Sequence, residues 1–376
     1  METLLEINEG YMKIQKFIEQ LRKETGLTYI DVICKEKHKT IFRYLSGDGV
    51  TGKEQLYMYS CSKVITAVAA LRLVEAGKIS LEDKVCQYLP EIEKAFILEE
   101  NGEKRTVGQA MTIRHLFTMT AGFTYNLKTE PIIKLANESN GKAVLRDFIP
   151  KFVETPLSFF PGERFQYSLC HDVLAAVIEV VTGKRFSVYV KEAIFEPLGM
   201  CNSYFDNSEQ GVFDVYAASP TGEIHLDENG KLLLPTKAYE SGGAGLSSTV
   251  EDYSLFAEAL ACGGTGKNGY QVIKKETVAL LCSKQLDGLS LNNAFTCIQG
   301  DDYDYGLGVR IRNKDTAWGL EKGEFGWDGA AGSYVMVDPK REVSVFIGMH
   351  VLDWPTIFME KHLQIVEQLY KEFFTV

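Results

Sequence analysis

Two Ser-x-x-Lys tetrapeptides place a serine hydroxyl and a lysine amine at a spacing that suits nucleophilic chemistry. The first, Ser60–Lys63, stands at the start of an apolar run that predicts a buried helix over Ser62–Ala76. Residues three apart share one face of a helix, so the Lys63 amine can reach the Ser60 hydroxyl. The second, Ser139–Lys142, lies in a Ser-Asn-Gly-Lys turn, where the side chains have no fixed relation. Ser60 and Lys63 are therefore the candidate pair.

The chemistry that this pair offers is covalent catalysis. A serine hydroxyl is a weak nucleophile and needs a base to remove its proton as it attacks a carbonyl. A lysine with an ordinary pKa near 10.4 is only about 0.1% neutral at pH 7.4, so its pKa must fall by about three units, worth roughly 4 kcal/mol. Burial lowers the pKa of a lysine because it disfavours the charged form. We therefore expect a buried Lys63 that activates Ser60.

The elements that must position this pair follow from hydrophobic periodicity. Apolar residues at i, i+3, i+4 and i+7 predict an amphipathic helix between Gly10 and Gly26. The middle of the chain, about residues 80–260, is typical of helices separated by Pro and Gly, and a last helix is expected over Thr356–Phe374. The predicted strands lie near the two termini: Thr28–Cys34, Thr40–Leu45, Tyr305–Arg312, Gly332–Asp338 and Glu342–Met349.

Strands at both ends with helices between them predict an α+β fold, an α/β sandwich. Its antiparallel sheet is built from both termini and flanked by helices. We expect one catalytic unit over residues 1–376, with a discontinuous α/β lobe of about residues 1–80 and 300–376. A mostly helical lobe of about residues 81–299 is inserted, and the active site is expected between the lobes.

Composition narrows the possible partners and cofactors. Forty basic and 51 acidic residues give a net charge of −11, which disfavours nucleic acid and anionic membranes. No signal peptide or membrane span is visible, so we expect a cytoplasmic protein whose eight cysteines are free thiols. His and Cys show no metal-ligand spacing. We therefore expect no metal and no cofactor.

Three short motifs follow one another along the chain: Ser60-Cys61-Ser62-Lys63, Tyr167-Ser168-Leu169 and Trp327-Asp328-Gly329. Four further blocks flank or overlap these motifs: Met111–Gly122, Phe160–Ser168, Ile194–Met200 and Gly242–Thr249. In order and spacing the set resembles the serine β-lactamase-like hydrolases, a superfamily that includes class C β-lactamases, penicillin-binding DD-peptidases and family VIII carboxylesterases. The resemblance covers about residues 55–350 and implies a β-lactamase/DD-peptidase-like fold.

The same resemblance implies a role for each motif. Ser60 attacks a carbonyl and forms an acyl-enzyme, Lys63 helps to take its proton, and Tyr167 carries the proton to the leaving group. Tyr167 then activates the second nucleophile. The backbone N–H groups of Ser60 and Ala330 form the oxyanion hole, where losing one donor typically costs about 3–4 kcal/mol. The candidate substrate-binding residues are Leu169, Trp327, Asp328 and Gly329.

Two positions depart from the antibiotic-hydrolysing members. Leu169 stands where β-lactamases and peptidases have an Asn whose amide binds the substrate's acyl-amide group. Trp327-Asp328-Gly329 replaces a Lys-Thr-Gly whose lysine helps to hold a substrate carboxylate. The charge of Asp328 should repel such a carboxylate, unless its side chain points away and bonds to neighbouring backbone. Both departures resemble carboxylesterase members, where Trp commonly takes the lysine position.

The sequence therefore predicts a serine hydrolase, first of all a carboxylesterase for small or moderately apolar esters. A D-amino-acid peptidase or amidase of the DD-peptidase type is the second reading, an acyltransferase the third and a weak β-lactamase the fourth. A non-catalytic binding member of the fold is a further alternative, although a binding pocket needs no activated nucleophile. The expected partner is a small-molecule ester or amide. The oligomeric state is not determined by the sequence.

Overall fold

The computed structural model describes residues 11–374 apart from 206–211, 229–233, 287, 290, 292–301 and 355–359. Its helices are α1 Tyr11–Thr25, α2 Ser62–Glu75, α3 Ile113–Phe117, α4 Glu130–Glu138, α5 Leu145–Phe152, α6 Cys170–Thr182, α7 Phe186–Val190, α8 Glu196–Leu198, α9 Val250–Ala261, α10 Lys275–Leu281 and α11 His362–Phe373. Its strands are β1 Tyr29–Glu36, β2 Lys39–Gly47, β3 Leu56–Tyr57, β4 Phe96–Leu98, β5 Lys104–Thr106, β6 Tyr216–Ala218, β7 Ile224–Leu226, β8 Ser247–Ser248, β9 Tyr303–Tyr305, β10 Arg310–Arg312, β11 Phe325–Asp328, β12 Tyr334–Asp338, β13 Val343–Gly348 and β14 Val351–Leu352.

The main sheet has seven strands in the order β2-β1-β13-β12-β11-β10-β9. Every neighbouring pair is antiparallel. The N-terminal hairpin β1–β2 joins strands from the last quarter of the chain through β1 and β13, where Asp31 lies opposite Gly348. The α+β fold with an antiparallel sheet from both termini, predicted from the sequence, is thus confirmed.

The two faces of the sheet pack against different helices, because successive side chains of a strand point to opposite faces. In β12, Tyr334 and Met336 belong to an apolar cluster with α1 and α11, whereas Val335 and Val337 belong to the larger cluster that contains α2, α6 and α9. Most of α2 is buried around its whole circumference. This helix begins two residues after Ser60, so the first turn that carries Lys63 lies inside the larger cluster.

One prediction about the C-terminal strands was wrong, and one strand was missed. The predicted strand Tyr305–Arg312 is two short strands, β9 and β10, that pair with each other. Gly308 has a φ of +88° in the turn between them, a conformation that favours glycine and ends the first strand. The strand β11 was not predicted. The first residues of the predicted last helix, 356–359, lie outside the described residues. The boundaries of the two predicted lobes stay a prediction.

Within the described part of the chain, each helix is too short or too polar to cross a bilayer.

We predict that Gly326→Ala destabilises the sheet, because Gly326 lies where β11 passes close to β12. A Cβ at Gly326 would lie 1.9 Å from the Val335 carbonyl oxygen, so the strands would have to separate, at a cost of about 3 kcal/mol or more. The matched control is Gly183→Ala at the end of α6, where φ is +68° but the space is open, so about 1 kcal/mol is expected. Urea unfolding of both variants measures the difference. Equal losses would contradict the packing argument.

Candidate active site

Ser60 lies in a short 3-10 helix, Tyr59–Cys61, between β3 and α2. The strand before it is held by β8, with Leu56 opposite Ser248. Tyr59 has a φ of +43°, a left-handed conformation that is unusual for a bulky residue and is commonly found at functional sites. The backbone therefore turns sharply just before Ser60.

Lys63 lies in the first turn of α2 and is fully buried. Its Nζ is 3.2 Å from the Ser60 Oγ and donates to the Gly243 carbonyl oxygen at 2.6 Å. Burial lowers the pKa of Lys63 to about 7, partly opposed by the negative charge of Asp172. Near neutral pH a large share of the amine is thus uncharged, with a lone pair available for the serine proton. The predicted approach of Lys63 to Ser60 is present in the structure.

Tyr167, just before α6, is also brought to Ser60. Its hydroxyl donates to the Ser60 Oγ at 2.6 Å. Burial raises the pKa of Tyr167 well above its usual value, so the phenol stays protonated at neutral pH. Ser60 thus lies between a buried amine that can accept a proton and a buried phenol that can donate one.

Trp327 completes the wall beside Tyr167. Its ring stacks on the Tyr167 ring with centroids 5.5 Å apart, and its Nε1–H donates to the Tyr167 hydroxyl at 3.3 Å. Strand β11 fixes this position, since Trp327 pairs with Val335 in β12. An N–H bond to the phenol oxygen makes the Tyr167 proton easier to give away.

A second tyrosine, Tyr125, was missed by the sequence reasoning. Its hydroxyl is 3.4 Å from the Lys63 Nζ, and its ring stacks on the Tyr167 ring at 5.5 Å with an interplanar angle of 12°. Burial raises the pKa of Tyr125, so it too is a neutral phenol. A lone tyrosine in a long loop carries no local pattern, so only the tertiary structure reveals this neighbour of Lys63.

The segment that carries Ala330 packs against the segment that leads to Ser60. The Ser333 hydroxyl donates to the Met58 carbonyl at 3.1 Å, and a Cβ at Gly329 would lie 2.3 Å from the same oxygen. The turn itself is held by the Gly332 N–H, which donates to the Gly329 carbonyl at 2.9 Å. Glycine at 329 is therefore required for this close approach, which brings the backbone next to Ala330 up to the backbone next to Ser60.

Leu169 is buried at the start of α6. It lines a small cleft together with the apolar residues Phe123, Ile132, Phe152 and Leu157 and the polar residues Thr124, Asn126 and Thr155. An aliphatic side chain in this place offers no hydrogen bond to a substrate amide. The structure therefore keeps the apolar character that the sequence predicted for this position.

Asp328 is not part of the site that Lys63, Tyr167 and Trp327 form with Ser60. It is the next residue in β11 after Trp327, so its side chain points to the opposite face of the sheet. There its carboxylate lies 3.7 Å from an Arg310 Nη1 and 3.8 Å from the His362 Nδ1. Burial raises the pKa of Asp328 to about 6. The idea that its charge repels a substrate carboxylate therefore loses its structural basis.

With this geometry established, comparison with known proteins gives a family. A model of the family described as Beta-lactamase matches residues 14–369. The chain belongs to the beta-lactamase family. This family is one of serine hydrolases, and proteins named as esterases and acyltransferases are among its members. Membership gives the fold and the class of chemistry, and the site must decide the reaction.

Three proteins that resemble this chain are named or described by an activity. Esterase EstB from Burkholderia gladioli is 32% identical over 54% of this chain and 55% of its own length. Lovastatin esterase from Penicillium rubens is 29% identical over 63% of this chain and 65% of its own. The solved structure of EstCE1, described as a hydrolase with promiscuous acyltransferase activity, is 22% identical, covers 97% of this chain and 99% of its own, and has a TM-score of 0.77. At that identity EstCE1 is evidence for the fold alone.

We predict that reaction of Ser60 with a fluorophosphonate becomes faster as the pH rises through about 7, the pKa of Lys63. The sign follows from the base: above this pH the amine is neutral and can take the serine proton. Lys63→Met should slow labelling roughly 100-fold or more. Intact-mass spectrometry at each pH measures the rate. A rise only near pH 10, where an ordinary lysine titrates, would contradict the role of burial.

Proposed function

We propose that this protein is a carboxylesterase that forms an acyl-enzyme on Ser60 from esters of small or moderately apolar acids. The observation that carries the proposal is the pair of short contacts at one oxygen: the Ser60 Oγ lies 2.6 Å from the Tyr167 hydroxyl and 3.2 Å from the Lys63 Nζ. One neighbour accepts a proton and the other donates one. This is the arrangement that acyl transfer requires.

In the acylation step, the Ser60 Oγ bonds to the ester carbonyl carbon while its proton passes to the neutral amine of Lys63. The negative charge on the carbonyl oxygen is stabilised by the backbone N–H groups of Ser60 and Ala330. As the bond to the alcohol breaks, Tyr167 donates its proton to the leaving alkoxide. Lys63 then passes its proton to the Tyr167 phenolate, which becomes a neutral phenol again. The Tyr167 ring centroid lies 4.5 Å from the Lys63 Nζ.

Deacylation uses the same groups in reverse. Water takes the position that the alcohol has left and attacks the acyl carbon while its proton passes to the Tyr167 and Lys63 pair. The Ser60 oxygen leaves and is reprotonated. No other titratable group is needed, because each half-reaction moves one proton between the same two side chains.

The preference for esters rests on the aromatic residues near Ser60 and on Leu169 at the start of α6. Trp327 and Tyr125 present aromatic surface, and Leu169 offers no hydrogen bond, so a substrate that needs its amide or carboxylate bound loses those partners. An uncharged ester loses little, since its only strongly polar group is the carbonyl in the oxyanion hole. Two relatives, EstB and lovastatin esterase, are named as esterases, in agreement with this preference.

We predict that the wild-type protein hydrolyses p-nitrophenyl butyrate and that Ser60→Ala lowers kcat/KM by roughly 1,000-fold or more, since the nucleophile is lost. A chromogenic cephalosporin should be turned over far more slowly. Initial rates on both substrates measure this, with circular dichroism confirming that the variant is folded. Ser60-dependent cephalosporin turnover as fast as ester turnover would contradict the substrate preference. Ester hydrolysis that persists in Ser60→Ala would contradict the mechanism.

Transfer of the acyl group to an alcohol is the second candidate activity. The observation in its favour is the aromatic wall formed by the half-buried Tyr125 and the buried Tyr167 and Trp327, an apolar surface on which an organic alcohol can displace water before the acyl-enzyme is hydrolysed. EstCE1 is described as having promiscuous acyltransferase activity.

We predict that adding a short alcohol to the ester assay diverts part of the acyl group into a new ester. Gas chromatography separates the new ester from the free acid, and both products should disappear in Ser60→Ala. Release of acid alone over a range of alcohol concentrations would leave hydrolysis as the only reaction.

A further inference from the structure

Asp172 is a fully buried carboxylate in the first turn of α6 that the proposed reaction does not use. Its Oδ1 accepts hydrogen bonds from the Ser241 hydroxyl at 2.6 Å and the Tyr239 hydroxyl at 3.1 Å. Burial raises the pKa of Asp172, while these donors and the Gly243 N–H favour the ionised form. A buried charge is costly unless an opposite charge and hydrogen bonds offset the loss of hydration, so this carboxylate requires a cationic partner.

That partner is Lys63, across the backbone of Gly243. A Cβ at Gly243 would lie 2.7 Å from the Asp172 Oδ2 and 3.4 Å from the Lys63 Nζ. The two charged groups are therefore at most about 6 Å apart, the range over which an opposite charge shifts a pKa. Glycine is required between them, since any side chain there would contact both groups.

The same carboxylate holds the peptide that Lys63 bonds to. Ser241, whose hydroxyl donates to Asp172, also accepts the Ala244 N–H at 2.9 Å. This tight turn presents the Gly243 carbonyl to the Lys63 Nζ at 2.6 Å. Asp172 thus orients the Lys63 amine by holding this turn in place. In addition, its negative charge favours the charged form of the amine without direct contact.

Among the described groups near Lys63, the carboxylate of Asp172 is the one whose negative charge most strongly opposes the lowering of the Lys63 pKa by burial. The thiol, phenol and imidazole neighbours are neutral, because burial raises the pKa values of the thiols and phenols and lowers that of the imidazole. Those neighbours are Cys61 on the segment that begins α2, Tyr125 and Tyr167 on the flanking loops, and Cys170 and His171 on α6. The charge of Asp172 therefore raises the pKa of Lys63, whereas burial lowers it.

We propose that Asp172 is a positioning residue that sets the pH range in which Lys63 acts as the base for Ser60. The inference rests on the proposed function, in which Lys63 takes the serine proton. Without the carboxylate the ammonium form loses the opposite charge that favours it most among the described residues. Lys63 then becomes a weaker base that is neutral at lower pH, and it holds the proton less well during acylation.

The test is the pH dependence of fluorophosphonate labelling of Ser60 in wild type and Asp172→Asn, followed by intact mass. We expect the rise in rate to move to lower pH by about one unit and the rate at high pH to fall several-fold, as expected for a weaker base. Asp252→Asn is the matched control. Asp252 is also a buried carboxylate that accepts bonds from hydroxyl and backbone N–H groups, but it lies at α9, so the rise should stay at the wild-type pH.

Each outcome of this experiment is informative. A lower rate in Asp172→Asn with no change in the pH of the rise would mean a structural role only and would overturn the inference. If Asp172→Asn does not fold, Ser241→Ala takes its place. This variant removes one bond to the carboxylate, so a smaller shift in the same direction is expected, and no shift overturns the inference. A wild-type Ser60 that is unreactive at every pH would instead overturn the proposed function, whatever the variants do.

Discussion

The burial of the Lys63 amine is the constraint on which the rest of the site depends. An exposed lysine with an ordinary pKa would be almost fully charged at neutral pH and could not accept a proton. The fold meets this condition by starting α2 inside the larger apolar cluster, with α6 packed on it. The lowered pKa, near 7, follows from this position. A helix that is apolar nearly all round is therefore a condition of the chemistry as well as of stability.

The two faces of the main sheet carry different residues: one face carries residues of the active site, and the other carries residues that hold the backbone of that site in place. In β11, Trp327 faces the site and Asp328 faces the helix α11. On that second face the His362 imidazole, whose pKa burial lowers to about 3, lies with its Nε2 3.0 Å from the Gly332 carbonyl. A neutral imidazole can donate this bond and so hold the turn that carries Ala330. His362, behind the sheet, thus stabilises the backbone in front of it without entering the site.

Local spacing explains what could be predicted from the sequence. Ser60 and Lys63 are one helical turn apart, and the motif around Tyr167 lies at the start of a helix, so their elements followed from periodicity. Tyr125 and Asp172 could not be predicted, because their relation to Lys63 is created by tertiary packing. The orientation of the Asp328 side chain could have been predicted, because once β11 is recognised as a strand, the residue after Trp327 must face the other way. That strand was missed because Gly326 interrupts its apolar pattern.

The positions of Arg310 and Arg312 favour an uncharged substrate. Arg310 and Arg312 lie in β10, which pairs with the strand of the third motif, so they are candidates to replace its missing lysine. Both side chains instead lie on the face of Asp328, where Arg310 pairs with Glu324 at 3.1 Å and Arg312 with the same carboxylate at 3.4 Å. A substrate carboxylate beside Trp327 would lose its hydration and meet aromatic rings, and Arg310 and Arg312 lie on the other face of the strand, where they do not offset this cost. An ester carries no such charge, so the burial that makes Lys63 a base favours the same class of substrate.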